Sequence, residues 1–110
     1  MRFIAEVTKT ELETKRLMIY GSKEGSYLFG FNILKDSHSN WDEWYATVSD
    51  AKELCEERFG IEQADWKEIP DPMEFCQHDW INPVRTKGVN TLTPDYEKFE
   101  KFENGKWIEI

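Results

Sequence analysis

The sequence predicts an α+β fold in which a mainly antiparallel sheet is packed by one principal helix. Three observations predict it: short apolar runs within residues 2–34, helical periodicity near residues 48–59, and an Asn-Gly turn close to the C-terminus. A length of 110 residues suits one domain. Aromatic residues make up 15% of the chain, which is ample material for a core. We therefore expect a single domain over residues 1–110.

The N-terminal third is expected to form three strands. Phe3, Ala5 and Val7 recur at every second position, the period of a strand. Two further apolar runs, residues 17–20 and 27–34, flank the segment Gly21-Ser22-Lys23-Glu24-Gly25. Glycines that bracket polar residues between apolar runs indicate a hairpin. We expect the third of these strands to be central in the sheet.

One helix is predicted near residues 48–59. Thr47 is expected to cap it, with the carboxylate of Asp50 three residues later, and Gly60 is expected to end it in the left-handed conformation. Apolar residues recur at helical spacing and predict the buried face. They are Val48, Ala51, Leu54, Cys55 and Phe59.

Regular structure is expected to weaken after Gly60. Residues 64–69 are compatible with a short strand that stops at Pro70. All four prolines fall within residues 70–95, and each removes a backbone donor, so we expect an irregular segment there. Long irregular segments in small domains are often functional.

The C-terminus is expected to form a hairpin. Asn104-Gly105 is the dipeptide that a type I′ turn favours. In that register Phe102 faces Trp107 and Glu103 faces Lys106, which gives an aromatic pair and an ion pair. The competing interpretation places a short helix over residues 94–101, with Thr93 as its cap.

Composition excludes several classes of function. The net charge is −8, so a phosphate backbone or an anionic membrane surface would repel the chain. We expect neither a nucleic-acid nor a membrane partner. Glu6 follows the N-terminus too closely for a signal peptide. Without export, Cys55 and Cys76 are expected to be free thiols in the cytoplasm.

The negative charge is concentrated in residues 42–74. This stretch has eleven acidic and three basic residues, whereas acids and bases balance in the remainder. One interpretation is a solvated outer helix face. The sharper interpretation, which we take as the leading hypothesis, is an acidic surface that binds a basic protein, as an inhibitor or immunity-type protein does. The residues expected to form this surface are Trp41, Asp42, Glu43, Trp44, Glu53, Glu56 and Glu57.

The alternative hypothesis is a small-ligand-binding protein or enzyme whose pocket is built on residues 70–95. Cys76, His78, Asp79 and Arg85 are its polar candidates. A structural zinc site usually has two tight pairs of ligands, and this segment offers at most one. We expect no metal and no cofactor, and enzyme activity is expected only under this alternative. A homo-oligomer joined by exposed aromatic residues remains a further alternative.

Overall fold

The structure is a computed structural model that describes residues 1–91 and 93–110, and it has the predicted α+β class. One α-helix, α1, covers Val48–Phe59, and short 3-10 turns occupy Gln63–Asp65 and Val89–Thr91. The strands are β1 (Arg2–Glu6), β2 (Arg16–Ser22), β3 (Gly25–Phe31), β4 (Trp41–Tyr45), β5 (Lys67–Ile69), β6 (Val84–Lys87), β7 (Asp95–Glu103) and β8 (Lys106–Glu109).

The strands form two antiparallel sheets. The large sheet has the order β4-β3-β2-β1-β5, and the small sheet has the order β6-β7-β8. The three predicted N-terminal strands are present. The third strand, β3, lies inside the large sheet between β2 and β4, but the middle strand is β2, with β3 and β4 on one side and β1 and β5 on the other. β4 itself was not predicted as part of the sheet.

The helix begins and ends where the sequence predicts. The Thr47 hydroxyl accepts a hydrogen bond from the Asp50 amide at 3.0 Å. Gly60 has a φ of 72°, and its amide closes the last turn. Ala51, Cys55 and Phe59 are buried, whereas the outer positions are exposed.

The main core lies between α1 and one face of the large sheet. Leu17, Ile19 and Leu28 are fully buried there, together with Ala51 and Cys55 of the helix. These side chains come from every second position of β2 and β3, as expected for strands with one face in a core. We call this face of the sheet the helix face.

The opposite face of the large sheet is covered by an irregular segment, residues 70–83, which we call the loop segment. Met18, Phe29 and Phe31 form a second, smaller core on this face, and Ile81 of the loop segment packs against it. We call it the loop face. An amphipathic helix and an irregular loop therefore cover the two sides of one sheet.

The C-terminal hairpin is confirmed, and it belongs to the small sheet. Asn104 and Gly105 both have positive φ, as a type I′ turn requires. Phe102 pairs with Trp107, and their ring centroids lie 5.2 Å apart. The helix considered for residues 94–101 is replaced by β7. Residues 70–95 are less irregular than expected, since they include β6, and Leu92 lies outside the described residues.

Candidate functional site

The outer face of α1 is acidic and exposed. Glu53, Glu56 and Glu57 project from consecutive turns, and all three are exposed. Within residues 1–91 and 93–110, the ion pairs that the structure shows include none of these three carboxylates. This part of the predicted acidic surface is assembled as one patch, which we call the helix patch.

Trp41 has a structural place beside the helix. Its ring stacks on Phe59, with centroids 6.0 Å apart and planes 15° from parallel. Its Nε1 donates to the Thr14 hydroxyl at 3.1 Å. A Cβ on Gly30 would overlap the ring, so the glycine makes room for the indole. Trp41 is therefore half-buried and packs against the helix-face core.

Glu43 is already neutralised within the chain. Its two carboxylate oxygens accept from Nη1 of Arg58 at 2.9 and 3.1 Å, and the Tyr45 hydroxyl also donates to it. The bonds from Tyr45 and Arg58 lower the pKa of the Glu43 carboxyl. Burial and the bond to Glu43 raise the pKa of Tyr45 to about 12. Glu43 therefore links β4 to α1, and the positive charge of Arg58 offsets that of its carboxylate.

Asp42 and Trp44 lie on the other side of the sheet. Side chains alternate along β4, and the register pairs Asp42 with Phe29 and Trp44 with Tyr27. Both partners point to the loop face, and Trp44 is 56% exposed. The seven residues predicted as one surface are thus divided between the two faces of the sheet. Only the three glutamates of α1 form the helix patch.

A small cavity adjoins the helix patch. It has a volume of about 190 Å³ and lies between α1 and the segment that follows it. Glu53 and Glu56 line one side, and the half-buried Trp66 lines another. Lys52 also lines it, but its Nζ lies 4.1 Å from the centre of the Phe3 ring. The cavity offers two carboxylates beside an indole.

The four candidates of the alternative pocket do not line one cavity, although Cys76 and Arg85 face each other in an isolated antiparallel β-bridge. His78 and Asp79 line one cavity of about 350 Å³, and Cys76 lines another of about 340 Å³ with Met73 and Ile81. The guanidinium carbon of Arg85 lies 3.7 Å from the centre of the Trp107 ring, and Nε of Arg85 donates to the Glu100 carboxylate at 2.6 Å. Of the proposed pocket, only His78 and Asp79 share a cavity.

The two thiols are buried and weakly acidic. Burial raises the pKa of Cys55 to about 12, and burial also raises the pKa of Cys76. A thiolate is the nucleophilic form of cysteine, so neither environment favours nucleophilic chemistry. The described residues contain no cluster of three or more His, Cys, Asp or Glu side chains suited to a metal ion.

Sequence reasoning missed the residue that organises the loop segment. Arg2 is 2% exposed, and its guanidinium donates to the carbonyls of Pro70, His78 and Trp80 at 2.6–2.9 Å. A longer contact reaches the Ile81 carbonyl at 3.5 Å. The sequence contained one signal: in β1 the period of two puts Arg2 on the same face as Ile4, where an apolar residue would be expected.

Two carboxylates attach the loop segment further. Asp36 accepts from the amides of Ile81 and Asn82 at 2.9 and 3.0 Å, and Asp79 accepts from the Ser39 amide at 2.7 Å. The loop segment is therefore held in place by hydrogen bonds to charged side chains.

Searches of protein-family models, of curated proteins and of solved structures return no match to this chain. None of the helices within residues 1–91 and 93–110 has the length and apolar character needed to cross a membrane.

Proposed function

We propose that this protein is a cytoplasmic, non-enzymatic binding module that engages a basic protein through the helix patch. The observation that supports the proposal most directly is the arrangement of Glu53, Glu56 and Glu57. They are exposed, they lie side by side, and they have no basic partner among the described residues.

Their spacing is unfavourable for the helix alone. Glu53 is three residues from Glu56 and four from Glu57, the separations at which like charges repel on a helix. Glu56 and Glu57 also lie in the C-terminal half of α1, where the helix dipole disfavours negative charge. A face that served only solubility would avoid these costs with a lysine at one of the positions. A positively charged partner removes the repulsion on binding.

The adjoining cavity fits the tip of a basic side chain. A lysine or arginine of the partner would meet the carboxylates of Glu53 and Glu56 and the face of Trp66. Carboxylates and an indole both attract cations. Aromatic residues in such positions often supply much of the binding energy of an interface.

The proposal is tested by comparing two triple variants in pull-down experiments at low and raised salt. E53Q/E56Q/E57Q removes three negative charges from the helix patch. E11Q/E24Q/E97Q removes the same charge from exposed positions elsewhere, so the net charge of the two variants is equal. We expect a basic protein to bind the wild type and the control variant and to be lost from the patch variant. Binding should also weaken as salt rises.

The free energy of unfolding provides a second measurement on the same variants. Relief of repulsion should stabilise E53Q/E56Q/E57Q by about 0.5–1 kcal/mol, from two pairs of like charges worth up to about 0.5 kcal/mol each. If E53Q/E56Q/E57Q is more stable than the wild type but no longer binds, the three glutamates serve binding and not stability. Equal capture by both variants, or capture that salt does not affect, would overturn the proposal.

A further inference from the structure

A groove crosses the loop face between the large and the small sheet. It consists of two adjoining cavities of about 350 and 330 Å³, which share Gln77 and Asp79 as lining residues. Each has the volume typical of a small-ligand site. The groove lies on the opposite side of the sheet from α1, so nothing in it depends on the helix patch.

The first half of the groove is aromatic and acidic. The rings of Tyr27 and Phe29 lie nearly parallel, 11° apart, with centroids separated by 6.0 Å. The exposed Asp42 lines the same cavity as these rings, and so does Asp79 of the loop segment. The lining residues that the structure describes include no lysine or arginine. Negative charge beside aromatic rings is a combination that attracts organic cations.

The second half of the groove is mainly apolar. Trp80, Val84, Phe99 and Ile110 line it, and Val84 is fully buried. Lys101 is the nearby base, with its Nζ 5.7 Å from the centre of the Trp80 ring. Its charge is balanced by contacts at 3.6–3.9 Å with two carboxylates, those of Glu103 and Asp36.

We infer that this groove binds a small organic cation with an apolar body. The ammonium or guanidinium group lies between Asp42 and Asp79, and the apolar body lies against Trp80 and Phe99. A second oxygen of Asp79 is available for this contact, since one accepts from the Ser39 amide. A neutral or anionic ligand of the same shape would gain no attraction from the two carboxylates.

Tryptamine and indole-3-propionate are the probes, because they share a ring system and differ in the sign of their charge. Each is titrated into the isotope-labelled protein, and amide chemical shifts are followed. We expect saturable shifts with tryptamine around Asp42, Gln77 and Phe99. Indole-3-propionate should bind at least about tenfold more weakly, because like charges in a partly closed site repel.

Two variants test the two halves separately. D42N keeps the shape of an exposed side chain and removes its charge, so tryptamine should bind about threefold more weakly, as expected for one partly exposed ion pair. F99A removes part of the apolar wall and should weaken both probes together. The control E24Q removes a charge in the β2–β3 turn and should leave both affinities unchanged.

Three outcomes would overturn the inference. Equal binding of the two probes would show an apolar cavity without charge selection. Tryptamine shifts confined to the helix patch would show general attraction to negative charge, and would leave the proposed protein-binding function standing. Absence of saturable shifts with tryptamine would show that the groove does not take this class of ligand.

Discussion

The two faces of the large sheet are covered in different ways. On the helix face, α1 places Ala51, Cys55 and Phe59 against aliphatic side chains of β2 and β3. On the loop face, the loop segment lies over a smaller apolar cluster and is fixed by Arg2, Asp36 and Asp79. One cover is held by burial of apolar surface, and the other by charged side chains bound to backbone groups.

The difference explains why the groove lies on the loop face of the sheet. A segment with little regular structure leaves many backbone amides and carbonyls unpaired, and burial makes each unpaired group costly. Charged side chains satisfy these groups without filling all the space between the sheets. The groove at the loop face is the space that remains, whereas the helix side offers the outer surface of α1 and the small cavity beside it.

The largest effect is expected from L17A on the helix face. Leu17 is fully buried in the main core, so the substitution should lower the free energy of unfolding by about 3–5 kcal/mol. Urea denaturation measures the loss. Hydrogen exchange should show that protection falls in α1 as well as in the strands, because the helix packs on this core. Protection retained in α1 would show that the helix does not depend on the face it covers.

A smaller and more local effect is expected from R2A on the loop face. Removal of the guanidinium leaves carbonyls of the loop segment without partners, at a cost of about 2–4 kcal/mol. Amides of residues 77–82 should lose more hydrogen-exchange protection than those of α1. R2K should be less harmful, since an ammonium keeps the charge but lacks the planar fork of donors.

The control for R2A is K23A, at an exposed position in the β2–β3 turn, which should change stability by less than about 0.5 kcal/mol. Equal loss of protection in the loop segment and in α1 would contradict the division of the sheet into two independently covered faces.

The helix face was predictable from the sequence because its signals are local. The cap at Thr47, the stop at Gly60 and the apolar spacing between them lie within one stretch and predict the helix to the residue. The Asn104-Gly105 turn is local in the same sense, and it fixed the pairing of Phe102 with Trp107. Local chemistry of this kind needs no knowledge of distant partners.

The loop face was not predictable because its contacts are distant in sequence. Arg2 binds carbonyls 68–79 positions away, and Asp36 binds amides 45 and 46 positions away. The candidate acidic surface was partly mispositioned for a related reason. Once residues 41–45 form β4, alternation sends Asp42 and Trp44 to the face opposite Trp41 and Glu43. The sequence interpretation included no strand of the sheet at residues 41–45, and it therefore grouped these residues with the glutamates of α1 as one surface.

The smallest effect is expected at Phe75 and concerns how the loop segment is held. Phe75 has a φ of 67°, which is unfavourable for an aromatic residue, and its side chain is 55% exposed. It is the third residue of a turn closed by a hydrogen bond from the Cys76 amide to the Met73 carbonyl at 3.0 Å. Glycine is the residue that such a position favours.

F75G should therefore stabilise the protein by about 0.5–1 kcal/mol, since relief of backbone strain exceeds the entropy that glycine adds to the unfolded chain. F75A is the matched control. It removes the same ring but keeps a Cβ at positive φ, so its stability should stay close to that of the wild type. Thermal unfolding measures both. Destabilisation by both variants to a similar degree would mean that the ring contributes packing, and the loop face would then depend on apolar burial as the helix face does.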